Sequence, residues 1–123
     1  MYSVLRITGS PSQISKIITI GYKMNKIIPG FFSEIRKAGD GFAVNISNSK
    51  IIIDHYNSIL LTIKTFKHIF LSIKEKSISI TFDIAIEKED FINTTYGLFF
   101  HLDKTFLNKL SKSNTELEIS IYS

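Results

Sequence analysis

The chain reads as an α+β domain, a mainly antiparallel sheet of about five strands with its helices packed on one face. Three observations carry that reading. Along Ser77–Glu87, Ile78, Ile80, Phe82, Ile84 and Ile86 alternate with Ser77, Ser79, Thr81, Asp83, Ala85 and Glu87. That is the two-residue period of a strand with one dry and one wet face, taken as the central strand of the sheet. From Ile52 the apolar positions are Ile52, Tyr56, Ile59, Ile63, Phe66, Phe70 and Ile73, spaced by four and three, which is one face of a helix. Shorter stretches of both kinds flank these two, and 123 residues suffice for a single domain with a real core.

The remaining elements come in order. Tyr2–Thr8 is a first strand, with Leu5 and Ile7 on one side. Ser10-Pro11 is a helix start, Ile14, Ile17 and Ile18 share a helical face, and Gly21 is placed to end that helix. Pro29-Gly30 and Gly39-Asp40-Gly41 are turn chemistry, and Phe31–Ala38 between them reads as a short helix or a mobile loop. Phe42, Val44 and Ile46 alternate as a second strand, and Asn48 or Ser49 can cap the helical stretch after it. One helix from Ile52 to Ile73 is long for a small domain, so two helices are expected, with a bend near residues 64–67 and Thr65 capping the second. Lys88–Thr95 is a polar connection. Leu98, Phe100 and Leu102 alternate as another strand, with Phe99 facing outward. Asp103 is the N-cap of a helix bearing Phe106, Leu107 and Leu110, and Leu117, Ile119 and Ile121 are the inner face of a last strand that turns Tyr122 outward.

Composition narrows the function classes. The absence of cysteine excludes disulfides, thiolate metal sites and a Cys nucleophile. Apolar runs such as Ile51–Ile53 are far too short to cross a membrane, and strand-like sequence from Tyr2 leaves no room for a signal peptide. The expectation is an unprocessed cytoplasmic product. The heavy use of Ile, Lys and Asn beside two Arg and three Ala suits an AT-rich genome or an acquired cassette. Residues 1–76 carry 11 Lys/Arg against 4 Asp/Glu, a net +7, and residues 77–123 carry 4 against 7, a net −3. A dipolar surface of this kind suits a charged macromolecular partner.

Catalytic signals are weak. His101-Leu102-Asp103 and Asp54-His55 each place a His near a carboxylate, as a metal site or an acid–base pair requires. Asp103 is already committed to capping, and a satisfied surface or boundary histidine accounts for His101. Gly39-Asp40-Gly41 precedes a strand instead of opening a helix, so it is not a phosphate-cradling loop. No catalytic residue, metal or cofactor is assigned. Lys64, Lys67, His68, Lys74 and Lys76 form a basic group that can meet phosphates. The wet face of the Ser77–Glu87 strand, however, offers carboxylates where RNA-binding sheets offer stacking aromatics, which disfavours nucleic acid. Asp83, Glu87, Glu89 and Asp90 form an acidic group at the end of that strand, with Phe99 and Tyr122 as candidate aromatic anchors. These six are the candidate partner-binding residues, and a basic protein is the partner they suit. The net charge of +4 opposes such a partner at long range, but beyond about 8 Å at physiological salt that repulsion is screened and local charge decides.

Four segments, "YSVLRITG", "DHYNSIL", "FFHLDKTFLNKL" and "LEISIYS", occur in an order and at separations that resemble the bacterial family catalogued as domain of unknown function 4279. Residues 22–41 depart from that family's pattern, with only Gly39-Asp40-Gly41-Phe42 similar to it. The resemblance implies a small stand-alone α+β domain and a place beside polymorphic toxins, where such proteins look like immunity proteins; it assigns no catalytic residue. The function expected on this basis is a non-catalytic immunity protein that binds and neutralises a cognate bacterial toxin. The alternatives are a small regulatory or nucleic-acid-binding module, or an enzyme of unknown substrate.

Overall fold

In the computed structural model, β1 (Tyr2–Thr8) buries Ser3, Leu5 and Ile7 on one face, as its alternation requires. The structure describes residues 1–31, 36–38, 40–73, 75–92 and 100–122. A single 3-10 turn at Pro11–Gln13 leads into α1 (Ile14–Ile27), which buries Ile17, Gly21 and Met24. Gly21 therefore sits inside the helix and does not end it; the buried positions, four and three apart, lie on one stripe. The short strand β2 (Arg36–Ala38) comes next, within the stretch read as a short helix or loop, and pairs with β3 (Gly41–Ser47). Gly41 has a steric role. A Cβ there would collide with the Ile7 carbonyl, because β1 and β3 approach closely at this point.

α2 (Ile52–Ser72) is one helix of 21 residues, about 31 Å long, not two. Thr65 does not cap a second helix: its hydroxyl donates to the Leu61 carbonyl at 2.8 Å, and Thr62 does the same to Ser58. At the start, Ser49 Oγ accepts from the Ile51 N–H at 3.1 Å and donates to Asp54. β4 (Ser79–Glu87), α3 (Lys88–Ile92), α4 (Lys104–Ser111) and β5 (Glu116–Tyr122) complete the chain. Asp103 caps α4 as expected, accepting from the Phe106 N–H at 2.7 Å.

The architecture is α+β, with a sheet ordered β2-β3-β1-β4-β5. β1 pairs antiparallel with both β3 and β4, whereas β4 and β5 run parallel. The sheet is therefore mixed, and β1 is its middle strand. Residues 100–103 form no strand, and the expected strand partners Leu98 and Phe99 lie outside the described residues. Leu5, Phe82 and Leu117 stand side by side in register, as do Ser3, Ile84 and Ile119. This face packs on Ile17, Met24, Ile59, Phe66 and Phe70 of α1 and α2 and on Phe106 and Leu110 of α4. Phe66, Phe70 and Phe82 form a chain of ring contacts, with centroids 6.2 and 6.3 Å apart. At the β5 edge the face runs past its cover, so Ile121 is 67% exposed although its parity is the inner one. The opposite face of β4 is wet only towards its ends: Ser79 and Glu87 are exposed, but Asp83 and Ala85 are buried along with Phe82 and Ile84.

Candidate functional site

The last residue of β4, Glu87, stands opposite Tyr122 of β5 in the parallel register, and α3 begins at once with Lys88 and Glu89. Glu87, Lys88, Glu89 and Tyr122 thus line one shallow depression of about 200 Å³. Glu87, Glu89 and Tyr122 are exposed, Tyr122 by 49%. Strand register, not loop chance, sets Tyr122 beside Glu87, and an exposed aromatic in a depression shared with Glu87, Lys88 and Glu89 is the form of a protein-docking anchor.

Two of the other acidic residues are committed elsewhere. Asp83 is only 4% exposed. It accepts from Ser120 Oγ at 2.8 Å and lies 3.5 Å from the Arg6 guanidinium, which also binds Glu118. Its cross-strand neighbours Val4 and Glu118 screen it from water, so it braces β1, β4 and β5 and cannot serve as a docking charge. Asp90 accepts the Glu87 N–H at 2.9 Å and pairs with the Met1 ammonium at 2.7 Å. Burial by itself raises this carboxyl, but the hydrogen bonds from the ammonium and from Glu87, with the charges of the ammonium and Lys50, outweigh it and hold Asp90 below its ordinary value. Asp90 ties the chain start to the end of β4 and so stiffens the corner that presents Glu87 and Glu89. Phe99 lies outside the described residues.

Among the described residues, neither His55 nor His101 is hydrogen-bonded to a carboxylate. His55 is fully buried, and its bonds do not go to Asp54: Nδ1 is 3.0 Å from Ser3 Oγ and Nε2 is 2.8 Å from the Ser49 carbonyl. A carbonyl can only accept, so Nε2 donates to it, and Nδ1 completes the bridge to the Ser3 hydroxyl. The ring fastens α2 to β1 and to the loop before α2. His101 is exposed. Among the described residues, no group of three or more His, Asp or Glu could hold a metal ion. The Tyr56 hydroxyl is buried without a hydrogen-bond partner among the described residues; burial, with the Asp103 carboxylate nearby, pushes it above its ordinary value. Its ring packs against Phe106 at 4.7 Å, which gives the residue a core role.

A second surface is one the sequence showed only in part. Lys64 and Lys67 of α2 meet Lys109 of α4 and Lys112 just beyond it across a groove floored by Leu60, Leu61 and Ile63. Lys74 lies outside the described residues, and Lys76 sits apart, near the start of β4. The signal for Lys109 and Lys112 was their spacing of three on the polar side of the Phe106/Leu110 helix.

No protein-family model, curated protein or solved structure matches the chain. The family resemblance therefore rests on the four sequence segments alone. No helix among the described residues is long and apolar enough to cross a membrane.

Proposed function

We propose that this chain is a non-catalytic immunity protein that binds and neutralises a cognate bacterial toxin, of the contact-dependent growth-inhibition or a similar polymorphic kind. The observation that carries the reading is the corner where the exposed Tyr122 shares a depression with Glu87, Lys88 and Glu89, on a strand end braced through Asp90. A basic cleft, such as that of a nuclease, is the complementary surface: the carboxylates steer its approach and the desolvated ring slows its departure. The segments that resemble the 4279 family support the toxin context. Of the residues first expected to dock, Glu87, Glu89 and Tyr122 keep that role in the proposal, and Asp83 and Asp90 become its supports.

The test is kinetic. The product of a toxin gene adjoining this one, the neighbour the proposal requires, is expressed in inactive form, and its association with the native chain and with the Glu87→Lys/Glu89→Lys variant is monitored at low and high salt. The variant leaves Asp90 and its tie to Met1 intact. A lower on-rate at low salt, converging with the native rate at high salt, is expected. Equal on-rates at both salts exclude this corner as the interface.

A further inference from the structure

We infer that the groove between α2 and α4 is a second docking site, built to receive an acidic amphipathic helix from another protein. This inference stands independently of the toxin reading. The groove encloses about 530 Å³. Its floor is apolar, and Leu61 is 65% exposed there, a branched side chain in mid-helix with nothing over it. Its banks are cationic: Lys64 and Lys67 on one side, Lys109 and Lys112 on the other. Each pair is spaced by three, which brings both ammonium groups to one side of the turn. None of the four forms an ion pair with a described residue, although Glu75 pairs with Lys16 and Glu118 with Arg6 elsewhere on the surface. Four like charges converging on an uncovered leucine repel one another and favour a partner that brings both apolar surface and negative charge.

The shape selects the partner's form. A trough between two helices accepts a third helix by the ordinary packing of ridges into grooves. Leucine or phenylalanine on one stripe of that helix would cover Leu61, and glutamates flanking the stripe would meet both lysine banks. A bilayer surface is a poorer fit, because a flat face does not fill a concave trough. A second copy of this chain is a poorer fit too: α1 and α4 carry no Asp or Glu, α2 carries only Asp54, and α3 has five residues. The lysines come from both the basic and the acidic half of the sequence, so the groove is a product of folding and not of the charge asymmetry along the chain.

The probe is a synthetic helical peptide of about five turns with a leucine stripe flanked by glutamates, set against the same peptide with glutamine in place of glutamate. Backbone amide shifts of the full chain are recorded during titration. We expect saturable shifts at Leu61, Lys64, Lys67 and Lys109, at least tenfold weaker binding of the glutamine peptide, and a loss of similar size in the Lys64→Gln/Lys67→Gln variant. Leu61→Gln should weaken binding without altering the amide spectrum of the remaining fold, since its side chain is exposed. The inference is overturned by equal affinity for the two peptides, by shifts centred on Glu87 and Tyr122, by the absence of saturable binding, by tighter binding to anionic vesicles than to the peptide, or by self-association that Leu61→Gln abolishes.

Discussion

Replacement of His55 by leucine separates a structural histidine from a chemical one. The ring is fully buried, and both nitrogens are engaged, with Ser3 Oγ at 3.0 Å and the Ser49 carbonyl at 2.8 Å. Leucine fills comparable space but leaves the Ser3 hydroxyl unpaired in a dry site and the half-buried Ser49 carbonyl without its donor, at a cost of about 1–3 kcal/mol for the first and less for the second. Relief from burying the polar ring offsets part of that, so a net loss of about 1–3 kcal/mol is expected. With a urea slope of about 1–3 kcal/mol per molar, the denaturation midpoint should fall by roughly 1 M with the slope unchanged. Ser3→Ala alone should cost less, and combining it with His55→Leu should be less than additive, because the hydroxyl is then no longer orphaned. A midpoint within roughly 0.3 M of native, or strict additivity, would refute the bridging role.

The same contacts set further outcomes. Phe82→Ala should cost about 3–5 kcal/mol through the cavity it leaves among Phe70, Leu5 and Leu117, and Asp83→Ala about 1–3 kcal/mol through the loss of its bonds to Ser120 and Arg6, which then keep only Glu118; urea melts of both variants check this, and a neutral Asp83→Ala would mean that these bonds contribute nothing. Gly41→Ala should lower the thermal midpoint by several degrees, or force β3 out of register with β1, since its methyl meets the Ile7 carbonyl; an unchanged midpoint would contradict the close approach. Asp90 is held below its ordinary value, so the stability it contributes is complete above the unfolded carboxyl range near pH 4 and is lost as pH falls through its lower folded value. Asp90→Asn should remove that part of the acid dependence, and identical stability–pH profiles for the two proteins would exclude the Met1 tie.

How far the sequence could be read depended on what each pattern encodes. Alternation revealed the strands at residues 2–8, 41–47 and 79–87 because side-chain parity is local. It could not reveal that β5 runs parallel to β4, since alternation is the same for either direction of pairing. Asp83 shows the limit most clearly: its parity assigns the outer face, but its burial comes from Val4, Arg6, Glu118 and Ser120, which only the three-strand register assembles. Thr65 serves equally as a cap or as a back-bonded interior residue, and the continuous burial of Ile59, Ile63, Phe66 and Phe70 decided for the interior. At the candidate site, Glu87, Glu89 and Tyr122 were legible from parity and spacing. The engagement of Asp90 was not, because its partner is the far end of the chain. Lys109 and Lys112 were missed, because only the docking of α4 beside α2 brings them to Lys64 and Lys67.

The most direct measurement is neutralisation. Where a polymorphic-toxin gene adjoins this one, its active product is induced in cells that carry the native chain, the Glu87→Lys/Glu89→Lys variant or an empty vector, and growth is monitored while complexes are recovered by size; a neighbourhood of metabolic genes alone counts against the account. Growth rescued by the native chain through a stable complex with the toxin, and weakened in the variant, is the predicted result. Growth arrest in the presence of well-folded native chain, with no complex recovered, would contradict the account.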